Sequence, residues 1–252
     1  VYTGGLLMTA SSTLARLKRI MPEHIKPKFT TSAELMAWQR EQGEIDSMRI
    51  ANENRVARLN KIMGRSGISP LHQNCSFDNY DVTCEDQQRA LCKAKRYAEQ
   101  FGKSFGGFIF SGNPGTGKNH LASAIGNHII QKGKSILIAT LPDIMMKVRE
   151  TYQKDAKTTE SKLIDDLCDV DLLVLDDVGV QRGNLNEELI IFQVVDRRLA
   201  NKKPVGVLTN LNYTQLSKVL DERVIDRLRM GNPTTINFTW QSYRRLLSNL
   251  IN

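Results

Sequence analysis

The chain has 252 residues, of which 40% are hydrophobic and 25% are charged, a balance typical of a folded globular protein with a full-sized core. No apolar run approaches the ~18–20 residues of a membrane-spanning helix, and the first residues lack the basic start and apolar core of a secretory signal. None of the four cysteines forms a C-x-x-C pair, which argues against a zinc or redox site. We therefore expect a cytoplasmic protein with reduced thiols and no membrane partner.

The net charge of +8 is concentrated near the N-terminus. Residues 1–70 carry 11 Lys and Arg against 6 Asp and Glu, whereas the remaining residues carry 24 against 21. Such a basic excess favours a nucleic acid or an acidic protein as partner. A solvated helical face with surplus lysine and arginine is the alternative interpretation.

Residues 1–64 are predicted to form a separate helical domain. A short amphipathic segment ends at Pro22, and Thr31 or Ser32 can cap a second helix. The apolar residues of its later part follow a heptad-like stripe: Ile45, Met48, Val56, Leu59 and Met63. This stripe suits either a partner helix or packing within its own domain.

A linker at residues 65–75 leads into the main domain, residues 76–252, where short apolar strands alternate with helices. Strands are predicted at 108–111, 135–140, 172–175, 204–209 and 234–238. Helices are predicted at 85–101, 118–131, 143–152, 162–168, 187–199 and 214–229. Apolar strands joined by helices indicate a parallel sheet that is buried on both faces. The predicted fold class is therefore α/β, with a doubly wound parallel sheet.

The clearest motif is Gly-Asn-Pro-Gly-Thr-Gly-Lys-Asn at residues 112–119, directly after the apolar run 108–110. A strand, a glycine-rich loop and a helix in this order are typical of a P-loop. Glycines let backbone N–H groups turn onto a phosphate, and the helix N-terminus adds partial positive charge. The predicted nucleotide-binding residues are Gly112, Asn113, Pro114, Gly115, Thr116, Gly117, Lys118 and Asn119.

Two features indicate a magnesium ion beside the nucleotide. Asn119 stands where a P-loop normally has Ser or Thr, and its amide oxygen can ligate Mg²⁺. The apolar strand 172–175 ends in Asp176 and Asp177. Asp176 is the predicted second metal ligand, and Asp177 is predicted to orient or deprotonate the attacking water.

Asn210 and arginines of two later segments are further catalytic candidates. Asn210 ends another apolar strand, where it can hydrogen-bond the γ-phosphate or the water, or act as a simple turn residue. Arg223 and Arg227 share a helical face, and an arginine from a neighbouring subunit can act as an arginine finger. Pairing with Asp226 or Glu222 of the same helix is the alternative. The segment 240–245 begins a final helix, from which Arg244 or Arg245 can fold over the nucleotide or cap a surface.

These motifs together resemble the bacterial replicative helicase loaders of the DnaC type. The likeness is carried by Gly-Lys-Asn-His at 117–120, Leu-Leu-Val-Leu-Asp-Asp at 172–177 and Glu-Arg-Val-Ile-Asp-Arg-Leu-Arg-Met-Gly-Asn at 222–232, and by Leu-Thr-Asn, Trp-Gln-Ser-Tyr-Arg and the N-terminal Met-Pro-Glu-His-Ile-Lys-Pro. It covers nearly the whole chain from about residue 13.

The resemblance implies an AAA+ ATPase that binds ATP and Mg²⁺ and loads a hexameric replicative helicase onto single-stranded DNA. Copies of such a protein are expected to assemble on the helicase, which residues 13–64 would grip. By position, the resemblance makes Asn210 a polar sensor of the nucleotide, Arg227 the finger for a neighbour's nucleotide and Arg244 a second sensor. Lys118 would bind phosphate and Asp176 would serve the metal.

One departure from the family pattern predicts slow hydrolysis. The family commonly has Glu at the position of Asp177, whose shorter side chain retracts the carboxylate, and misplacement of this order costs roughly 10²-fold in rate. ATP would then act largely as a conformational switch. Two alternatives are a transposition helper ATPase and a nucleotide-gated single-stranded DNA-binding protein; the segment Met-Pro-Glu-His-Ile-Lys-Pro favours the loader.

Overall fold

A computed structural model describes residues 29, 31–63, 68–179 and 185–243. The chain divides into two compact units, residues 1–51 and 52–252. The domain bounds predicted at residues 64 and 75 stay a prediction. Among the described residues, no helix has both the length and the apolar character that crossing a membrane requires.

The smaller unit contains the start of a long helix, α1, Ser32–Met63. Thr31 caps it as the sequence predicts: its Oγ1 accepts a hydrogen bond from the Glu34 N–H, and its own N–H donates to the Glu34 carboxylate, each at 3.2 Å. This reciprocal pair is a capping box, which pairs two N–H groups at the helix start. The Phe29 and Trp38 rings pack 5.3 Å apart at their centroids. The short helix predicted around residues 13–21 lies outside the described residues.

The larger unit alternates strands and helices after a 3₁₀ turn at Pro70–His72. In chain order the elements are α2 Glu85–Gln100, β1 Phe108–Gly112, α3 Lys118–Gln131, β2 Ile136–Thr140, α4 Leu141–Glu150, α5 Glu160–Asp169, β3 Leu172–Asp176, α6 Leu185–Ala200, β4 Val205–Thr209, α7 Tyr213–Val219, α8 Glu222–Arg229 and β5 Thr234–Phe238. Each of the five predicted strands is confirmed, with bounds that differ by at most one residue.

All five strands pair in parallel, in the order β2-β3-β4-β1-β5. Side chains alternate between two apolar clusters: Leu173 and Leu175 belong to one, Leu172 and Val174 to the other. The sheet is therefore buried on both faces, which confirms the predicted α/β class and explains why its strands are almost wholly apolar.

The helix predicted at 214–229 is wrong as a single element. The chain leaves the helix at Leu220, which is extended and buried, and Asp221 caps a new helix by accepting a hydrogen bond from the Arg223 N–H at 2.8 Å. Burial of Leu220 in the core sets the break, and the aspartate supplies the second start.

Arg198 is a fully buried cation at the amino end of the sheet. Its guanidinium donates to the carbonyls of Leu167 and Val170 at 2.8 and 3.0 Å, and to those of Asp171 and Pro204 at 3.3 and 2.9 Å. Burial lowers the pKa of Arg198 to about 10, so it stays charged at neutral pH. One side chain thus joins the end of α5 to the approaches of β3 and β4.

Replacing Arg198 with methionine should lower the free energy of unfolding by about 3–5 kcal/mol, because buried carbonyls lose their donors. Urea denaturation followed by circular dichroism measures this. Arg197→Met is the matched control: Arg197 is half exposed and pairs with Asp165 at 2.6 Å, an arrangement worth at most about 1 kcal/mol. Equal losses in the two variants would contradict the role given to Arg198.

Candidate nucleotide site

The carboxyl ends of β1, β3 and β4 open onto one cleft of about 580 Å³. Residues 114–119 of the P-loop line it, together with Asp176, Asp177 and Asn210. Because the strands are parallel, residues far apart in sequence that each follow a strand meet at this edge. The predicted residues Gly112 and Asn113 form the end of β1 and the base of the loop.

The lysine of the P-loop binds carbonyl groups of the loop itself. Lys118 is buried, and its Nζ donates to the carbonyls of Gly112 and Asn113 at 2.8 and 2.7 Å. Gly117 has φ of +94°, and a Cβ there would lie 2.8 Å from Cε2 of Tyr80, so both its backbone and its surroundings require glycine. The ammonium group of Lys118 thus lies within the curve of the loop, and a cation at that position suits the binding of a polyphosphate.

Asn119 and Asp176 are directly joined. The Asn119 Nδ2 donates to Asp176 Oδ2 at 2.7 Å, which leaves the amide oxygen as an acceptor. Burial raises the pKa of Asp176, and the hydrogen bonds from the Asp177 N–H and from Asn119 oppose that rise. A carboxylate and an amide oxygen are hard donors of the kind Mg²⁺ takes alongside phosphate and water, so this pair fits the predicted metal.

The other two predicted side chains, Asp177 and Asn210, are exposed in the cleft. Asp177 has φ of +51°, a left-handed conformation uncommon outside glycine and found at functional sites. Thr209, at the end of β4, donates through Oγ1 to the Val178 carbonyl at 2.6 Å and accepts from the Leu211 N–H at 3.1 Å. These bonds tie the strand end that carries Asn210 to the loop that follows Asp177.

The arginines of α8 lie elsewhere. Arg227 pairs through Nε with Asp196 of α6 at 2.7 Å, and Arg223 pairs with Asp221 at 2.7 Å while its guanidinium lies 5.0 Å above the Phe192 ring. The predicted alternative, pairing with Asp226 or Glu222 within the helix, is wrong, because the two arginines pair with Asp196 and Asp221 instead. Neither arginine is among the residues that line the P-loop cleft. Arg244 lies outside the described residues.

Residues 33–245 match the family model described as IstB-like ATP binding protein. The replicative helicase loader DnaC of Escherichia coli strain K12 is 52% identical over 231 residues, which cover 92% of this chain and 94% of the relative. The chain belongs to the DnaC-type members of this ATP-binding family. A second relative from the same strain, the uncharacterized protein YdaV, is 43% identical over 94% of this chain and 95% of its own.

Among solved structures, the crystal structure of the DnaC helicase loader matches with a TM-score of 0.61 at 23% identity, over 68% of this chain and all of that one. The match confirms the predicted fold, a P-loop core built on a parallel sheet. The 52% identity to DnaC confirms the resemblance predicted from the motifs, and the chain is a P-loop ATPase of the DnaC type.

Sequence reasoning missed the aromatic residues that hold the P-loop of this DnaC-type protein. The Thr116 carbonyl accepts from Trp240 Nε1 at 3.0 Å and from the Tyr80 hydroxyl at 3.4 Å, and the Gly115 carbonyl accepts from the Tyr243 N–H at 2.9 Å. A motif search finds the loop but not its supports, because strand order alone brings residue 240 to it.

Replacing Asn119 with alanine should weaken binding of ATP in the presence of Mg²⁺ by about tenfold, because an amide that bonds a charged carboxylate and offers an oxygen is lost. Binding of ATP in EDTA should stay within about twofold. Asn119→Thr, which restores an oxygen, should recover most of the affinity.

Titration calorimetry with and without Mg²⁺ makes this comparison. If Asn119→Ala weakens ATP binding equally in both conditions, Asn119 acts on the loop and not on the metal.

Proposed function

We propose that this chain loads a hexameric replicative helicase onto single-stranded DNA, with bound ATP acting as the switch. The observation that carries the proposal is its 52% identity, over 92% of its length, to a protein named replicative helicase loader. The P-loop cleft, with a buried lysine and a joined Asn–Asp pair, supports the ATP part of the cycle.

Within the cleft, Lys118 and the loop N–H groups would bind the β- and γ-phosphates. Asp176 and the Asn119 oxygen would hold Mg²⁺, which when bound neutralises charge on the phosphate oxygens. Asp177 would orient the attacking water, and Asn210 would contact the γ-phosphate or that water. These roles are supported by the shared cleft and follow from the chemistry of each side chain.

Hydrolysis by a single copy should be slow. The Asp177 carboxylate is exposed and one methylene shorter than glutamate, so it holds water loosely. A slow catalytic step lets the ATP-bound conformation persist long enough to act on a partner, and hydrolysis would then mark release.

Arg227 would act on the nucleotide of a neighbouring copy. Its place outside the cleft of its own chain supports action in trans. Arg227 also lines a second concavity of about 680 Å³, together with Arg223, Arg229, Glu222 and Asp226. A phosphate group would compete with Asp196 for the Arg227 guanidinium, since both are oxyanions. Arg244 would serve as the second sensor.

The N-terminal part, residues 13–64, would grip the helicase. In the first unit Ile45 and Met48 of α1 lie three positions apart on one helical face, and each is more than half exposed, as expected of apolar residues in a docking surface. The basic excess of the chain would contact DNA phosphates, so that DNA binding should weaken as salt increases.

Co-purification with the host's hexameric helicase in the presence of ATP tests the proposal. The full chain should retain the helicase, and a sample lacking residues 1–64 should not. The double variant Ile45→Glu/Met48→Glu should also lose it, because charges replace adjacent exposed apolar groups on α1. Gln39→Glu, an exposed polar position on the same helix, is the matched control.

Retention of the helicase by the truncated chain would contradict the role of the N-terminal region. Capture of a transposase, or of DNA alone, with no helicase bound would instead support one of the two alternative functions.

Arg227→Ala should leave ATP affinity within about twofold and lower ATPase activity in the helicase-bound assembly by at least tenfold, since trans arginines contribute ~10³–10⁵ where they act. The measurement is phosphate release with and without helicase. Arg89→Ala, at an exposed arginine of α2, is the control. If Arg227→Ala loses ATP binding in the absence of helicase, action in trans is contradicted.

A further inference from the structure

One carbonyl of the P-loop accepts hydrogen bonds from two aromatic side chains, one that precedes the loop in the sequence and one that follows the last strand. The Thr116 carbonyl accepts hydrogen bonds from the indole N–H of Trp240 and the hydroxyl of Tyr80, at 3.0 and 3.4 Å. The preceding carbonyl, of Gly115, accepts from the Tyr243 N–H at 2.9 Å. Donors thus converge on successive peptides of the loop.

Holding the carbonyl of a peptide also fixes its N–H. A trans peptide is planar, with its C=O and N–H pointing in opposite directions, and the chain has no cis peptide among the described residues. The Gly117 N–H therefore points away from Trp240 and Tyr80. Flanking glycines with φ of +74° at Gly115 and +94° at Gly117 would otherwise let these peptides rotate at little cost.

Both donors are themselves anchored. The Trp240 ring packs in a tilted arrangement against the Phe238 ring of β5, with centroids 4.8 Å apart, and β5 pairs with β1, the strand that ends in the loop. The Tyr80 ring meets His120 at 5.4 Å. Burial raises the pKa of Tyr80 well above its usual range, so its hydroxyl remains a donor at every physiological pH.

The segment that carries Tyr80 is bound along α3. His120 Nε2 contacts the Ser76 carbonyl and Asn79 Oδ1, each at 3.0 Å. Asn127 Nδ2 donates to the carbonyls of Gln73 and Cys75 at 3.0 and 2.7 Å. Five separate contacts therefore hold Tyr80 against the helix that starts at the P-loop, counting the ring contact with His120.

We propose that Trp240 and Tyr80 are positioning residues for ATP: their hydrogen bonds to Thr116 lock the Thr116–Gly117 peptide with its N–H on the phosphate side of the loop. A free loop would populate other peptide orientations, and binding would have to select the competent one. This inference rests on the proposed nucleotide site and is independent of helicase loading.

The test uses the full chain with two substitutions that remove the hydrogen-bond donor and leave an aromatic ring in its place, Trp240→Phe and Tyr80→Phe. Each should weaken ATP binding by about threefold to tenfold, the effect of one hydrogen bond, and the double variant should weaken it further. The melting temperature without nucleotide should stay within about 2 °C of the parent. Tyr97→Phe, which removes a buried hydroxyl outside the cleft, is the matched control and should bind ATP as the parent does.

A spectroscopic readout separates positioning from general stability. The chain has two tryptophans, so Trp38→Phe leaves Trp240 as the single tryptophan, which is excited selectively at wavelengths that tyrosine does not absorb. In this background ATP should change Trp240 emission, and adding Tyr80→Phe should shift the ATP concentration at half-maximal change by the same threefold to tenfold.

Two results would overturn the proposal. One is ATP binding within twofold of the parent in both single-donor variants. The other is a loss of affinity matched by a large fall in melting temperature in both, which would make the two aromatic residues supports of the fold. A failure to retain helicase leaves this test unaffected, since it uses ATP alone.

Discussion

The parallel pairing of β1 with β4 on one side and β5 on the other is the constraint on which the site depends. It places the P-loop, the end of β4 and the residues after β5 at one edge of the sheet. Close approach is part of it: a Cβ on Gly206 of β4 would lie 2.5 Å from the Phe108 ring of β1. The large Phe108 side chain therefore fits between the central strands only because the residue that faces it on β4 is glycine.

The two ends of the sheet use buried charge in different ways. At the amino end, Arg198 donates to main-chain carbonyls that are fixed by the ends of helices and strands, so its hydrogen bonds stabilise the fold. At the carboxyl end, Lys118 donates to carbonyls of a glycine-rich loop, and Asn119 donates to Asp176. Phosphate oxygens can replace the carbonyls as acceptors for Lys118, and a metal ion can replace the Asn119 amide as the partner of Asp176. Buried polar groups are paired at both ends of the sheet, but only at the carboxyl end can a ligand take over the pairing.

Sequence and structure agree where the signal is local. The P-loop, the strand that ends in Asp176 and the alternation of strands and helices could all be predicted, because each depends on a few consecutive residues. The break at Leu220 could not, since burial in the core sets it. The pairing of Arg227 with Asp196 was equally hidden, because it depends on how two helices cross. Arg244 and the bounds of the domains stay predictions.

By itself, the order of residues predicted a nucleotide-binding P-loop, located the candidate phosphate and metal residues in the sequence, and indicated the family. Only the tertiary structure decided which side chains hold the loop. Tyr80 and Trp240 lie 36 and 124 residues from Thr116. Tyr80 reaches it because its segment packs along α3, and Trp240 because the order of strands places β5 beside β1. Local pattern carries no information about that order, because it arises from the packing of the whole domain.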